Sequence, residues 1–138
     1  MHVLIVDDHP LLHAVLAAVA RKVLRAPRVH SVLSLEEALA YGQTSPPLDL
    51  AFLDLGLPGC SGVESVVRFR SAFPAVPVLV VSGSEEKGIL EAAMQAGAKG
   101  FVPKTAPPSA LESEIRALCR RVGLALHASV LPQGGDDG

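Results

Sequence analysis

Short, unbroken apolar runs alternate along this chain with longer stretches whose apolar positions recur every three or four residues, which predicts strands interleaved with helices. Val3-Leu4-Ile5-Val6, Leu50-Ala51-Phe52-Leu53 and Val76 to Val81 have the composition of parallel strands covered on both faces. After the first run, Pro10 suits the opening turn of a helix whose stripe is Leu12, Val15, Leu16, Val19 and Val23, ending near Pro27. A second strand, about Arg28 to Leu33, contains His30 and Ser31 and is polar enough for a sheet edge. Ser34 with Glu37 has the capping-box spacing and opens a short helix to about Tyr41; Thr44-Ser45-Pro46-Pro47 is the loop beyond it. Ser61 with Glu64 repeats the box before a helix carrying Val63, Val66 and Val67. A helix from Glu85 to Ala96 is stopped by Gly97 and weakened near its start by Gly88. Lys99 to Val102 makes a short fifth strand, and Ser109 with Glu112 opens a last helix striped by Leu111, Ile115, Leu118 and Val122.

Five strands alternating with five helices predict a single α/β domain, a doubly wound five-stranded parallel sheet with helices on both faces. The apolar first and third strands belong together at the centre and the polar second strand at an edge, which the order 2-1-3-4-5 satisfies. The domain spans residues 1–122, and 123–138, ending Gly134-Gly135-Asp136-Asp137-Gly138, is a tail or the start of a linker. At 138 residues with 49% hydrophobic composition, the chain can bury a substantial core. Twelve Lys and Arg against 14 Asp and Glu give a net charge of -2, without the footprint of a nucleic-acid or anionic-membrane binder. No leader-like amino terminus or run of membrane-spanning length is present, so a soluble cytoplasmic protein is expected. Cys60 and Cys119 lack metal spacing and are expected as reduced thiols, with Cys60 a bystander rather than a redox centre. His2, His9, His13, His30 and His127 share no ligand spacing and are not expected to bind metal.

The candidate chemistry lies where the strands end. Asp7 and Asp8 follow the first strand and Asp54 follows the third, so adjacent parallel strands bring three carboxylates to the edge where open α/β sheets bind ligands. Three such charges repel unless one is protonated or a hard cation sits among them, and oxygen ligation suits Mg2+. A carboxylate beside Mg2+ can accept a phosphoryl group. Ser82 after the fourth strand and Lys104 after the fifth reach the same edge, and Gly83 leaves its backbone N–H approachable. Separately, Asp8 has the residue type of a helix cap, Asp7 of a turn, and Ser82 of a cap for the following helix.

The pieces Val6-Asp7-Asp8-His9-Pro10, Asp54-Leu55-Gly56-Leu57-Pro58-Gly59, Val81-Ser82-Gly83 and Ala96 to Lys104 together resemble the receiver domain of two-component response regulators, over about residues 1–122. Asp8-His9-Pro10-Leu11-Leu12 and Gly100 to Thr105 look most like receivers attached to LuxR-type helix-turn-helix domains. The resemblance implies a signalling switch in which Asp54 takes phosphate from a sensor histidine kinase or phosphotransfer protein. It implies Mg2+ held by Asp8, Asp54 and the Gly56 carbonyl, with Asp7 in the outer shell. Ser82 and Gly83 would meet the phosphate with Lys104, and Phe101 would turn inward to alter the surface of the fourth helix, fifth strand and fifth helix. Catalysis beyond self-phosphorylation and autodephosphorylation is not expected. A homodimer is the expected self-association, and DNA would be reached through a C-terminal domain absent here rather than by this chain. Where family members often place proline after the lysine, this chain has Thr105, and Gly56 and Ser84 occupy positions that tune phosphoryl lifetime. Two alternatives share some of these residues: a Mg2+-dependent phosphohydrolase with an aspartyl-phosphate intermediate, and a receiver-like interaction module that no longer takes phosphate. The hydrolase places its acid two residues after the nucleophile, where this chain has His9 after Asp7, and it needs an insertion to enclose substrate.

Overall fold

The computed structural model describes residues 1–25, 27–57, 62–83 and 87–124. The chain runs β1 (His2–Val6), α1 (Pro10–Val23), β2 (Arg28–Val32), α2 (Leu35–Thr44), β3 (Leu50–Asp54), α3 (Val63–Ala72), β4 (Val78–Ser82), α4 (Lys87–Gln95), β5 (Gly100–Pro103) and α5 (Pro108–Val122). All pairings are parallel and the order is β2-β1-β3-β4-β5, as the apolar pattern predicted. β1, β3 and β4 are buried throughout, whereas β2 buries little besides Val32 and lies at an edge.

Strand alternation sends successive side chains into two cores. Val3, Ile5, Phe52 and Leu79 meet Leu16, Val19, Ala20 and Val23 of α1 and Leu111, Ile115 and Leu118 of α5. On the opposite face, Leu4, Val6, Leu53 and Val80 meet Leu35 and Ala38 of α2, Val66 and Phe69 of α3 and Ala93 of α4. Each large side chain so enclosed stabilises the fold by about 1.5–3 kcal/mol relative to exposure. The central strands are thereby clamped from both sides, which fixes where their carboxyl ends emerge.

Several local expectations differ from the structure. In α1, Ala20 is buried while Val15 is 42% exposed, because the helix turns its small residue toward the sheet. In α3, Phe69 takes the buried position and Val67 faces out. The Ser34 cap is formed, accepting from Glu37 N at 3.1 Å, and α2 continues to Thr44. Glu37 reaches back to Leu33 N at 2.9 Å rather than to Ser34. Ser61 and Glu85 fall outside the described residues, and α3 opens from Gly62, at φ 68°. The Ser109–Glu112 box does not form: Pro107 is the N-cap of α5 and Pro108 its first residue, whose fixed φ already suits a helix start. Glu112 instead meets Lys22 Nζ at 3.0 Å, joining α5 to α1. The Lys104–Thr105 peptide is trans. Cys119 is a free thiol within the α1–α5 core, and its burial pushes it up to about 11. Cys60 lies outside the described residues. No helix among the described residues is long and apolar enough to cross a membrane.

Two glycines of the α4 region should respond oppositely to the same substitution. Gly97 follows α4 at φ 110°, and a Cβ there would press on the Arg70 guanidinium. Gly88 lies inside α4, with open space where its Cβ would be. Gly97→Ala is expected to destabilise the fold by about 1–3 kcal/mol, and Gly88→Ala to stabilise it by roughly 0.5–1 kcal/mol. Urea unfolding of the two variants reads both signs.

Candidate metal and anion site

The strand register assembles the site. Pairing Val6 with Leu53 places Asp7 beside Asp54, and pairing Ser82 with Pro103 places Lys104 just past the same edge. Backbone bonds extend these placements beyond the strands, from Asp7 N to Val32 O at 3.1 Å and from Lys104 N to Ser82 O at 2.7 Å. Asp7 and Asp54 are 1% and 2% exposed, so their charges lose most of their hydration. Lys104 Nζ answers both, 3.0 Å from Asp7 Oδ2 and 3.0 Å from Asp54 Oδ2. Burial alone would lower the lysine's pKa, but its hydrogen bonds and charge interactions with Asp54 and Asp7 together outweigh burial and hold it above 10.5.

The remaining oxygens are oriented locally. Gly56 N donates to Asp54 Oδ1 at 2.9 Å, and His9 N donates to Asp7 Oδ1 at 2.7 Å, a turn bond that leaves Asp7 still aimed into the site. Asp8 does not cap α1; the N-cap is His9, which makes no side-chain cap bond. Ser82 is buried at the end of β4, and Gly83 is exposed with nothing crowding its Cβ position. Phe101, half-buried, packs against the core beneath α2, α3 and α4. His9, Asp54, Gly56, Ser82, Gly83 and Lys104 line a cleft of about 450 Å³.

The carboxylates suit a hard dication. One ligand atom each from Asp7, Asp8, His9 and Asp54 lies within 4.8 Å of all the others. Asp8 Oδ1 and Asp7 Oδ2 are both buried without an aligned hydrogen bond and have only charge contacts, with His9 Nδ1 at 3.1 Å and Lys104 Nζ at 3.0 Å respectively. Oxygens left in this condition fit Mg2+, which the acidic set would hold in place of missing donors. The predicted residues Asp7, Asp8, Asp54, Ser82 and Lys104 thus share one edge. Two histidines absent from that prediction join them: His9 Nδ1 approaches Asp7 Oδ1 at 2.9 Å and Lys104 Nζ at 2.9 Å, and His13 Nε2 bonds the Asp7 carbonyl. A test of spacing among histidines alone missed them; the available signal was a histidine two residues after an aspartate at a strand end.

A family profile described as the response regulator receiver domain matches residues 3–116. The transcriptional activator protein ExaE of Pseudomonas putida is 37% identical over 130 residues, covering 94% of this chain and 58% of that protein. A glycerol metabolism activator from the same species is 32% identical over 116 residues, covering 84% and 52%. The chain therefore spans a little over half the length of these relatives. A LuxR family DNA-binding response regulator from Silicibacter pomeroyi superposes with a TM-score of 0.76 at 30% identity, covering 88% of this chain and 93% of that one. A CheY-like receiver domain protein from Methanospirillum hungatei shares the fold, with a TM-score of 0.75 at 22% identity over 88% and 95% of the two chains.

The Lys104 pairing has a defined pH dependence. A raised folded-state pKa means that its stabilisation is fully present below the unfolded lysine value and is lost as pH rises through the folded one. Lys104→Met, which leaves Asp7 and Asp54 facing each other, should cost about 1–3 kcal/mol at pH 8, between the values for exposed and buried pairs. The gap between wild type and variant should stay constant to about pH 10 and shrink above it. Urea unfolding across that range checks the trend.

Proposed function

Since this chain belongs to the response regulator receiver domain family, we propose that it is a phosphorylation-activated switch whose Asp54 accepts a phosphoryl group from the phosphohistidine of a sensor histidine kinase or phosphotransfer protein. The observation that carries this reading is the convergence of Asp7, Asp8, Asp54 and Lys104 on one strand edge beside an open cleft. Asp8, Asp54 and the Gly56 carbonyl would hold Mg2+ directly, with Asp7 behind them. When bound, the ion supplies positive charge that offsets both the carboxylates and the incoming phosphoryl oxygens. Asp54 forms an O–P bond as the donor's N–P bond breaks, and the released imidazole takes up a proton. Lys104 is poised to pass from Asp54 to a phosphoryl oxygen, while the Ser82 hydroxyl and Gly83 N–H donate to others.

Phosphate adds charge and acceptor oxygens, and so favours whichever arrangement of Lys104, Ser82 and Phe101 meets them best. That preference would be read on the α4–β5–α5 surface. In this reading residues 1–122 form the receiver and 123–138 a tail or linker, the protein is cytoplasmic, and a homodimer forms through a helical face. Transcription is controlled through a DNA-binding domain beyond this chain, a reading supported by the transcriptional activator and the LuxR family DNA-binding response regulator among its relatives. Its only chemistry is its own phosphorylation, with a small phosphodonor sufficing, and its own dephosphorylation.

Incubation with a small phosphodonor and Mg2+, followed by intact-mass measurement, should add one phosphoryl group to wild type and none to Asp54→Asn. Full labelling of that variant at another residue would defeat the assignment. Asp8→Ala should lower Mg2+ affinity by at least about tenfold while keeping or improving stability, since it removes a ligand and relieves repulsion. Lys104→Ala should still accept some phosphate but fail to transmit it. Its amide chemical shifts across the described residues of α4, β5 and α5 should change far less on phosphorylation than those of wild type.

A further inference from the structure

We propose that His9 is a nitrogen ligand of the divalent-cation site and biases it toward borderline transition ions such as Co2+ and Zn2+ over Mg2+. The inference rests on the reading that the acidic edge holds a divalent cation, and concerns which ion it prefers.

Three observations converge on His9. Its ring supplies one of the ligand atoms lying within 4.8 Å of one another, and Nδ1 is the nitrogen that faces Asp7 and Asp8. Ligands on opposite sides of an ion bound at 2.1 Å are about 4.2 Å apart, so a small contraction closes the group on a metal. The same nitrogen already faces a positive charge: Lys104 Nζ lies 2.9 Å from His9 Nδ1 and 3.0 Å from both Asp7 Oδ2 and Asp54 Oδ2. These three atoms, from two separate chain segments, surround the ammonium as they would surround a metal ion. Finally, the ring is bound by conflicting demands. Nδ1 is 2.9 Å from Asp7 Oδ1 and 3.1 Å from Asp8 Oδ1, and one nitrogen cannot donate to a carboxylate and accept from the ammonium at once. A dication bonded to the nitrogen and the carboxylates removes that conflict and gives Asp8 Oδ1 its missing partner.

Competing tasks for the ring are few. Although His9 is the N-cap residue of α1, its ring makes no capping bond, and His13 rather than His9 holds the Asp7 carbonyl. Its side chain is 62% exposed, so it can turn onto an incoming ion without disturbing the core. Oxygen ligands alone suit Mg2+, whereas an imidazole among carboxylates adds affinity for Co2+ and Zn2+ and little for Mg2+.

Calorimetric titration of wild type, His9→Ala, His9→Asn and Asp8→Ala with Mg2+ and with Co2+ tests this, with the visible absorption of bound Co2+ as a second readout. Wild type should bind Co2+ more tightly than Mg2+, and excess Mg2+ should displace it. Both His9 variants should weaken Co2+ by about tenfold or more and shift its absorption, while Mg2+ affinity stays within about twofold. Unchanged Co2+ binding, or equal loss for both ions, would overturn the role of His9 while leaving the acidic site standing. If Asp8→Ala altered binding of neither ion, the acidic edge would not be the cation site, and the proposed function would fail with it.

Discussion

One ammonium holds together what the strand topology forces into conflict. The parallel register puts Asp7 and Asp54 side by side at the end of a fully buried strand pair, where each is nearly cut off from water. Lys104, arriving from β5 across the sheet, sits 3.0 Å from both. Without it, or a cation in its place, two desolvated carboxylates would face each other in a medium that screens poorly. The arrangement concentrates a demand for positive charge at one point of the fold, the demand that the dication of the proposed function would meet.

Much of what positions this contact was visible in the apolar pattern. Three uninterrupted apolar runs read as strands covered on both faces and the polar β2 as an edge strand, a pattern that the observed order satisfies and that the resemblance to receiver domains completed. Residues at the carboxyl ends of those runs then share an edge, which made Asp7, Asp54 and Ser82 identifiable before their distances were known, and the short fifth strand added Lys104. Helix faces and ends were less legible. Val15 has the hydrophobicity of a core residue, but the geometry of α1 gives Ala20 the buried place; propensity cannot register a rotation of one residue. The Ser109–Glu112 spacing lost to Pro107 and Pro108, whose fixed backbone sets the start of α5 earlier and frees Glu112 for Lys22.

The histidines show the limit of spacing rules more sharply. His9 looked unimportant because no second histidine stood at ligand distance along the chain. Its partners are carboxylates from its own loop and from β3, together with a lysine 95 residues away. Such a mixed cluster exists only once the sheet has formed. The chain spans a little over half the length of the two Pseudomonas putida relatives it matches, and in the proposed reading any output would be governed from its α4–β5–α5 side.

The central claim is that the charge demand met by Lys104 is transferred to a phosphorylated, cation-bound Asp54. A crystal structure grown with Mg2+ and beryllium fluoride, a phosphoryl mimic, measures it directly. The account predicts the fluoroberyllate bonded to a carboxylate oxygen of Asp54, a cation among Asp7, Asp8 and Asp54, and Lys104 Nζ moved from Asp7 onto the bound anion. A structure in which Lys104 still bridged Asp7 and Asp54, with the anion bound elsewhere, would contradict it.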